Sequence, residues 1–520
     1  MAYNSLTQAE KDLIASEASS TNDDYKCIVN LFFIGAWDVQ SLLVPYGSNP
    51  NLTHYLAHRV DGVATPLPYP DQNTTKIRVD DDDIPINEVK TDAGNKADPL
   101  GTANWRLHPS MVNLKAMWDA GNVAFIHDIG PVKTVTTKDN YLGGNPAYIP
   151  ANLFNHESQQ QIVQKGVTDE YFSGITSGWS GRSAELLDRN YNPNSNIKLP
   201  LVSSFSISSN LLQADPPDTF FPTATPARLL SMGNSLTCDQ SKFEDALDKM
   251  RFRADIGNPV ESENRLYKTF VNVFNTYANN QEQIFDLSDD LPHSIDDIFN
   301  TYAEEAKLIP YYKNPDTLVT GLKEVARAIY NRKSDSYNQR RQVLNIVMSA
   351  PWDMHAQLRH NFDVFSKGVD LGLQALIEAL EHPDMNAGRS DGKTLRDEVV
   401  IVTQAEFART LDSNSANGTD HGWAGLQMVI GNMVNGGLYP EGYQPNYDKD
   451  GPKSDGSDRV RFIPEVSYLQ SHAKILNWFG MPVQLLHRAL PGLQKFTSDG
   501  TAANNLDFVF PSGNYTLNFI

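Results

Sequence analysis

The chain has 520 residues, of which 40% are hydrophobic and 10% aromatic, and carries a formal net charge of −20. That composition fills the core of a large α/β unit and excludes the basic footprint of a nucleic-acid binder. With only Cys27 and Cys238 there is no disulfide framework; the two either pair once or stay as separate buried thiols, and metal chemistry falls to carboxylates and imidazoles.

Along the chain, Thr7-Gln8-Ala9-Glu10 predicts a capped, polar helix rather than a signal peptide. No apolar run approaches the roughly 18 residues that span a bilayer, so no transmembrane segment is expected. Cys27 to Ile34 reads as the first strong strand. Gly35-Ala36-Trp37-Asp38 breaks it and sets Asp38 at its carboxyl end, either as a ligand for a divalent metal or as a turn or N-cap residue. Residues 61–104 read as a surface excursion, with Asp80 to Asp83 a solvated charge run rather than a calcium site. Leu114 to Ala120 is helical and Val123 to His127 a second buried strand. A long loop over 131–155 leads to Asn155-His156-Glu157. On its own, His156 is either a hydrogen-bonding or a functional histidine.

Leu201 to Ser208 looks like another strand. Residues 241–340 carry helical periodicity, for example Asp245 to Arg253 and Asn264 to Tyr277, and read as an insertion covering the sheet. Val343 to Met348 runs into Pro351-Trp352-Asp353-Met354-His355. Residues two apart in an extended segment point the same way, so Asp353 and His355 can reach one metal together; the alternative is a purely structural Asp-x-His. Asn361 to Glu381 is an amphipathic helix. Val399 to Thr403 is a buried parallel strand that ends straight into Glu406, Phe407, Arg409 and Thr410. In open α/β sheets ligands bind outside the carboxyl ends of strands. A polar loop (Asp412 to Gly418), then Thr419-Asp420-His421-Gly422, then the apolar run Leu426 to Ile430 complete a layout suited to a metal site at a sheet edge. Glu441 to Asp458 is surface-like and lacks the carboxylate spacing of an EF-hand. Ser467 to Leu476 is a helix, and the tail after Gly492 is turn-rich, with Phe508 to Phe510 as an edge strand.

Taken together, VTQAEFART with GTDHG, FFIGAWDVQSLLVPYG (Phe32 to Gly47), WRLHPSMVNLKAMWDAGNVAFIHDIG (Trp105 to Gly130), NHESQQ (Asn155 to Gln160), GWSGR (Gly178 to Arg182), PWDMHAQ (Pro351 to Gln357) and NWFG (Asn477 to Gly480) resemble, in order, the domain-of-unknown-function 1501 family. That family resembles the alkaline phosphatase-like superfamily of metal-dependent phosphatases, sulfatases and phosphomutases. The resemblance implies an alkaline phosphatase-like domain over 28–490, with a mostly parallel central sheet, helices on both faces and the helical insertion at about 241–340. A helical extension (1–27) would precede it and a tail (491–520) follow it. It also implies one metal site of Asp353, His355 and His421, and a second of Asp38 and Glu406. Asp420 would be a ligand or an outer partner fixing a histidine tautomer. Arg409 would clamp a tetrahedral oxyanion bidentately or pair with a carboxylate. The chain departs from the family at two positions. Asn155 stands where a serine normally precedes the histidine, and it cannot form a phospho- or sulfo-enzyme. Phe407 stands where the superfamily often has a histidine ligand.

The implied cofactor is a divalent metal, zinc first, with calcium, magnesium and manganese as alternatives. The implied function is hydrolysis of a phosphate or sulfate ester, of a small molecule or a polysaccharide. The alternative is a catalytically silent member of the same fold that acts as a binding or structural protein. Family members are often exported behind a twin-arginine leader. No such leader is present in this sequence, either because it was removed or because the protein is not exported that way, so compartment, like oligomeric state, stays open.

Overall fold

The computed structural model describes residues 6–520 apart from 21–23, 46–47, 60–83, 87–104, 109, 169–174, 176, 193–201, 205–290, 309–315, 334–338, 349–351, 357, 417 and 501–505. The strands in chain order are β1 (Lys26–Phe33), β2 (Leu43–Pro45), β3 (Ile84–Ile86), β4 (Trp105–Leu107), β5 (Val123–Gly130), β6 (Val202–Ser204), β7 (Arg341–Met348), β8 (Val399–Ala405), β9 (Ala408–Ser413), β10 (Thr419–Gly422), β11 (Gly425–Ile430), β12 (Gly437–Tyr439) and β13 (Val466–Ser467). Among the described residues, one eight-stranded sheet runs in the order β12-β5-β11-β8-β1-β7-β6, with β13 also on β5.

This sheet is mostly parallel: β1 pairs in parallel with β7 and β8, β6 with β7, and β12 and β13 with β5. The expected strands at Ile28 to Ile34, Val123 to His127 and Val399 to Thr403 are all present. Their near-continuous apolar runs follow from burial on both faces. Alternate residues serve opposite sides. Val29, Leu31 and Phe33 join the core formed with the helices Val112–Asp119, His293–Lys307, Asp316–Tyr330 and Leu358–Glu381. Ile28 and Phe32 join the core formed with His156–Lys165, Trp179–Tyr191 and Tyr468–Trp478. Each fully buried Val, Leu, Ile or Phe contributes roughly 1.5–3 kcal/mol relative to exposure.

Strand β11 runs antiparallel between β5 and β8. The reason is the length of its connection. A parallel return needs a crossover of a dozen or more residues, and β9 and β10 use the intervening chain as a two-stranded hairpin of their own. The expected polar loop, Asp412 to Gly418, joins the two strands of this hairpin: Asp412 and Ser413 end β9, and β10 begins at Thr419.

Other expectations shift in smaller ways. The 131–155 segment contains a short helix, Lys138–Leu142, closed by a Thr137–Asn140 capping box. Phe508 forms only an isolated bridge with Thr497. The tail residues Phe510, Leu517 and Phe519 are buried in the second core. The N-terminal helix, Gln8–Ser20, begins at the expected cap: Thr7 donates its backbone N–H to Glu10 at 2.7 Å and its Oγ1 accepts from the Glu10 N–H at 3.3 Å. Of the stretch expected to be a helical insertion, the helices His293–Lys307 and Asp316–Tyr330 are described. Asp245 to Arg253, Asn264 to Tyr277, Asp80 to Asp83, most of Leu201 to Ser208, and Cys238 lie outside the described residues. Cys27 is a buried free thiol. No described helix is long and apolar enough to cross a membrane.

Candidate metal centre

The register of the parallel strands places the site. Phe33 lies beside Met348 on one side and Ala405 on the other, so the three carboxyl ends finish level. The chain continues from them into Gly35, into Asp353 and His355, and into Glu406. Gly35 has φ +105°, and a Cβ there would sit 2.6 Å from the Asp353 nitrogen. Only glycine permits that approach. The Gly35 N–H donates to Glu406 Oε1 at 2.7 Å. From above, the hairpin contributes Arg409 and His421, which are opposite one another in the ladder and therefore share a face. The register slips between Thr419 and His421, a common device for re-aiming side chains beside functional sites. The fifth contributor is the first turn of the helix His156–Lys165.

These segments bring His156, Asp353, His355, Glu406, Arg409, Asp420 and His421 together. The His156, Asp353 and His421 ligand atoms all lie within 4.8 Å of one another. His421 Nε2 is 3.1 Å from His156 Nε2 and 3.0 Å from His355 Nε2. Asp353 Oδ1 is 3.0 Å from His355 Nε2 and 3.3 Å from His421 Nε2, and its Oδ2 is 3.4 Å from His156 Nε2.

The other nitrogen of each ring faces an atom that only accepts. His421 Nδ1 meets the Phe154 carbonyl at 2.8 Å, His156 Nδ1 meets Glu406 Oε1 at 2.7 Å and His355 Nδ1 meets Asp420 Oδ1 at 3.2 Å. Each Nδ1 therefore carries a proton, and in the neutral ring each Nε2 is a bare lone pair. Lone pairs so close repel unless a proton or a cation lies among them. Rings pinned at Nδ1 by carboxylates and carbonyls, with Nε2 converging, are the arrangement that orients imidazoles toward a metal.

Without a metal, protons do that work. Hydrogen bonds to Asp353 and Glu406 push His156 up to about 9, against the opposing effect of burial. Burial would raise Asp353, but His156, His421 and Arg409 outweigh it and hold that carboxyl well below its ordinary range. Burial likewise raises Asp420, and Asn414, His355 and Arg459 bring it below its usual value. Glu406 is wholly buried. Its Oε1 also accepts from Gln160 Nε2 at 3.2 Å, while Oε2 has no hydrogen-bond partner among the described residues. A buried carboxylate oxygen left unpaired costs about 1–3 kcal/mol or more, so a cation within reach would satisfy it.

Three sequence candidates have other engagements. Both Asp38 oxygens are held by Arg59, at 2.9 and 3.0 Å, with neither side chain exposed. Asp38 also caps the short helix Val39–Leu42, accepting from the Gln40 N–H at 3.2 Å. Asn155 is the N-cap of the His156 helix: its Oδ1 accepts the Ser158 N–H at 3.0 Å. Arg409 is buried and spent. Its Nη1 donates to Asp353 Oδ1 at 2.6 Å, its Nε to Thr419 Oγ1 at 3.2 Å and its Nη2 to the Thr419 carbonyl. The structure shows the carboxylate pairing, with Asp353. Phe407, in place of a ligand, packs its ring 4.8 Å from His156 and 4.7 Å from His421.

Arg59, Phe154 and Arg461, whose Nε donates to the His421 carbonyl at 3.0 Å, take part here without having stood out in the sequence. Arg59 ends the helix Leu52–Arg59 and looks like any helix-terminal base. Phe154 contributes a carbonyl, which no side-chain motif can announce.

No curated protein and no solved structure matches this chain. Residues 237–444 match the model of a family described as "Protein of unknown function (DUF1501)". The matched stretch holds Asp353, His355, Glu406, Arg409, Asp420 and His421 and leaves Asp38 and His156 outside it. The match supports the DUF1501 family for this chain, as its motifs implied.

Proposed function

We propose that the protein is a metal-dependent hydrolase of phosphate or sulfate esters with an alkaline phosphatase-like fold. The observation that carries this reading is the convergence of the His156, His355 and His421 Nε2 atoms on Asp353, with each Nδ1 pinned from behind. Imidazole donors suit zinc first, while oxygen-rich sites suit calcium, magnesium or manganese. His156, His421, His355 and Asp353 would hold the ion, with Glu406 fixing His156 from its Nδ1 side.

A divalent cation here would polarise the ester and lower the pKa of a bound water. Glu406 and Asp420 keep the proton on Nδ1 of their histidines and so keep Nε2 available. Arg409 holds Asp353 ionised and in place. Asn155 serves as a helix cap, so the reading includes no covalent enzyme intermediate and relies on direct attack by water.

One set of observations favours the alternative of a silent binding protein: Asn155 replaces the expected nucleophile, and Asp38 is neutralised by Arg59. Metal analysis of the purified protein, followed by a panel of phosphate and sulfate esters, separates the two. We expect bound zinc and metal-dependent hydrolysis that falls by orders of magnitude in His421→Ala. Esterase activity that appears only in Asn155→Ser would identify a silenced enzyme, and a wild type that binds no metal would sink the hydrolase reading.

A further inference from the structure

We infer that Arg461 is a positioning residue for His421, bracing both its backbone and, through Phe154, its ring; the inference rests on the metal-centre reading above. The Arg461 Nε donates to the His421 carbonyl at 3.0 Å. The same guanidinium lies 5.1 Å above the centre of the Phe154 ring. The Phe154 carbonyl in turn accepts the His421 Nδ1 proton at 2.8 Å. Arg461, Phe154 and His421 thus close a ring of three contacts, joining the chain before the His156 helix to strand β10.

The brace addresses a strained point. Phe154 has φ +72°, a left-handed conformation that is strained for a bulky residue. Its neighbours must hold it there if its carbonyl is to face His421. A cation stacked on the ring supplies part of that hold.

Arg461 is itself anchored. The buried Asp455 accepts the Arg461 backbone N–H at 3.2 Å and the Ser457 hydroxyl at 2.7 Å through Oδ1, and its Oδ2 lies 3.4 Å from Arg461 Nη1. Without Arg461, the Phe154 carbonyl is free to turn, the His421 tautomer is no longer fixed, and the ring loses its direction toward Asp353.

The test uses the full chain stripped with a chelator, zinc ion alone as the probe, and the variants Arg461→Met and Arg461→Lys. Lysine can still reach a carbonyl but has neither the planar stack nor the fixed Nε. It also keeps the experiment decisive if the methionine variant does not fold. Zinc affinity, read by competition with a chromophoric chelator, should fall about 10–100-fold, the usual cost of losing an outer partner of a ligand. In the metal-free protein, imidazole ¹⁵N spectra should show His421 fixed with the proton on Nδ1 in wild type and averaged between tautomers in the variants. Variants that bind zinc as tightly as wild type overturn the inference. If wild type takes up no zinc, the metal reading fails and the spectra alone decide. A His421 signal unchanged by Arg461→Lys or Arg461→Met then overturns the brace, and an averaged one sustains it.

Discussion

An imidazole has two nitrogens, and what one of them does decides what the other can do. In this protein Glu406, Asp420 and the Phe154 carbonyl each occupy an Nδ1, so the chemistry of the cluster is set from behind. His156 gives this a measurable pH signature. In the metal-free protein its folded value of about 9 lies above the roughly 6.5 of an unfolded histidine. A group raised on folding contributes stability that is fully present below its unfolded value and disappears as the pH climbs through its folded value. The stripped protein should therefore lose urea resistance between about pH 6.5 and 9, and His156→Gln should lose that component of the slope. A wild-type and variant difference that stays constant across the window would show that His156 is not the proton carrier. Asn155 illustrates the opposite lesson. In sequence it looked like a nucleophile replaced; in structure it is an ordinary N-cap, a role that Asn fills as well as Ser.

At the scale of elements, the site depends on strands that end level and on loops that touch backbone to backbone. Gly418 is the tightest of these contacts: a Cβ there would lie 2.1 Å from the His355 carbonyl carbon and 2.4 Å from the Ala356 nitrogen. Neither is a movable side-chain end, so Gly418→Ala must displace the His355 loop or the hairpin. We expect a stability loss of about 1–3 kcal/mol together with weakened zinc binding. Gly321→Ala, in the helix Asp316–Tyr330, meets nothing closer than an Ile346 methyl at 3.8 Å; it should leave zinc binding unchanged and raise stability by about 0.5–1 kcal/mol, the helix-interior gain of Ala over Gly. Thermal denaturation and chelator competition on the two variants provide the comparison. Much of this level was legible beforehand. β1, β7 and β8 are apolar runs broken by Gly, Pro or charge, so their ends, and with them Asp353, His355 and Glu406, could be read as strand-end residues. The hairpin could not, because ARTLDS and TDHG have the polarity of a loop, and strand pairing overrides that only through a partner. His156 could be located but not assigned to the ligand group, since its place depends on how one helix sits over two strand ends. Arg461 was invisible for the same reason: its contacts are a carbonyl and a ring face from distant segments.

At the scale of the whole molecule, the fold is a mostly parallel sheet between two cores, with one strand, β11, running against its neighbours. The charge of −20 is spread over a surface that says little about the site, whose own balance of imidazoles, guanidinium groups and carboxylates is local. The reversed strand has a consequence in time rather than in space. β8, the β9–β10 hairpin and β11 are consecutive, and β11 returns to pair directly with β8. Their contacts close short loops, whereas β1 finds β7 and β8 only across most of the chain. Short closures are entropically cheaper and faster. The stretch from Val399 to Ile430, which holds Glu406, Arg409, Asp420 and His421, should therefore gain amide protection before β1 in pulsed hydrogen exchange during refolding. Protection of β1 first, or of both together, would refute that order. If the order holds, half of the site is assembled before Asp353 and His156 arrive, and the hairpin is the template onto which the parallel part of the sheet closes.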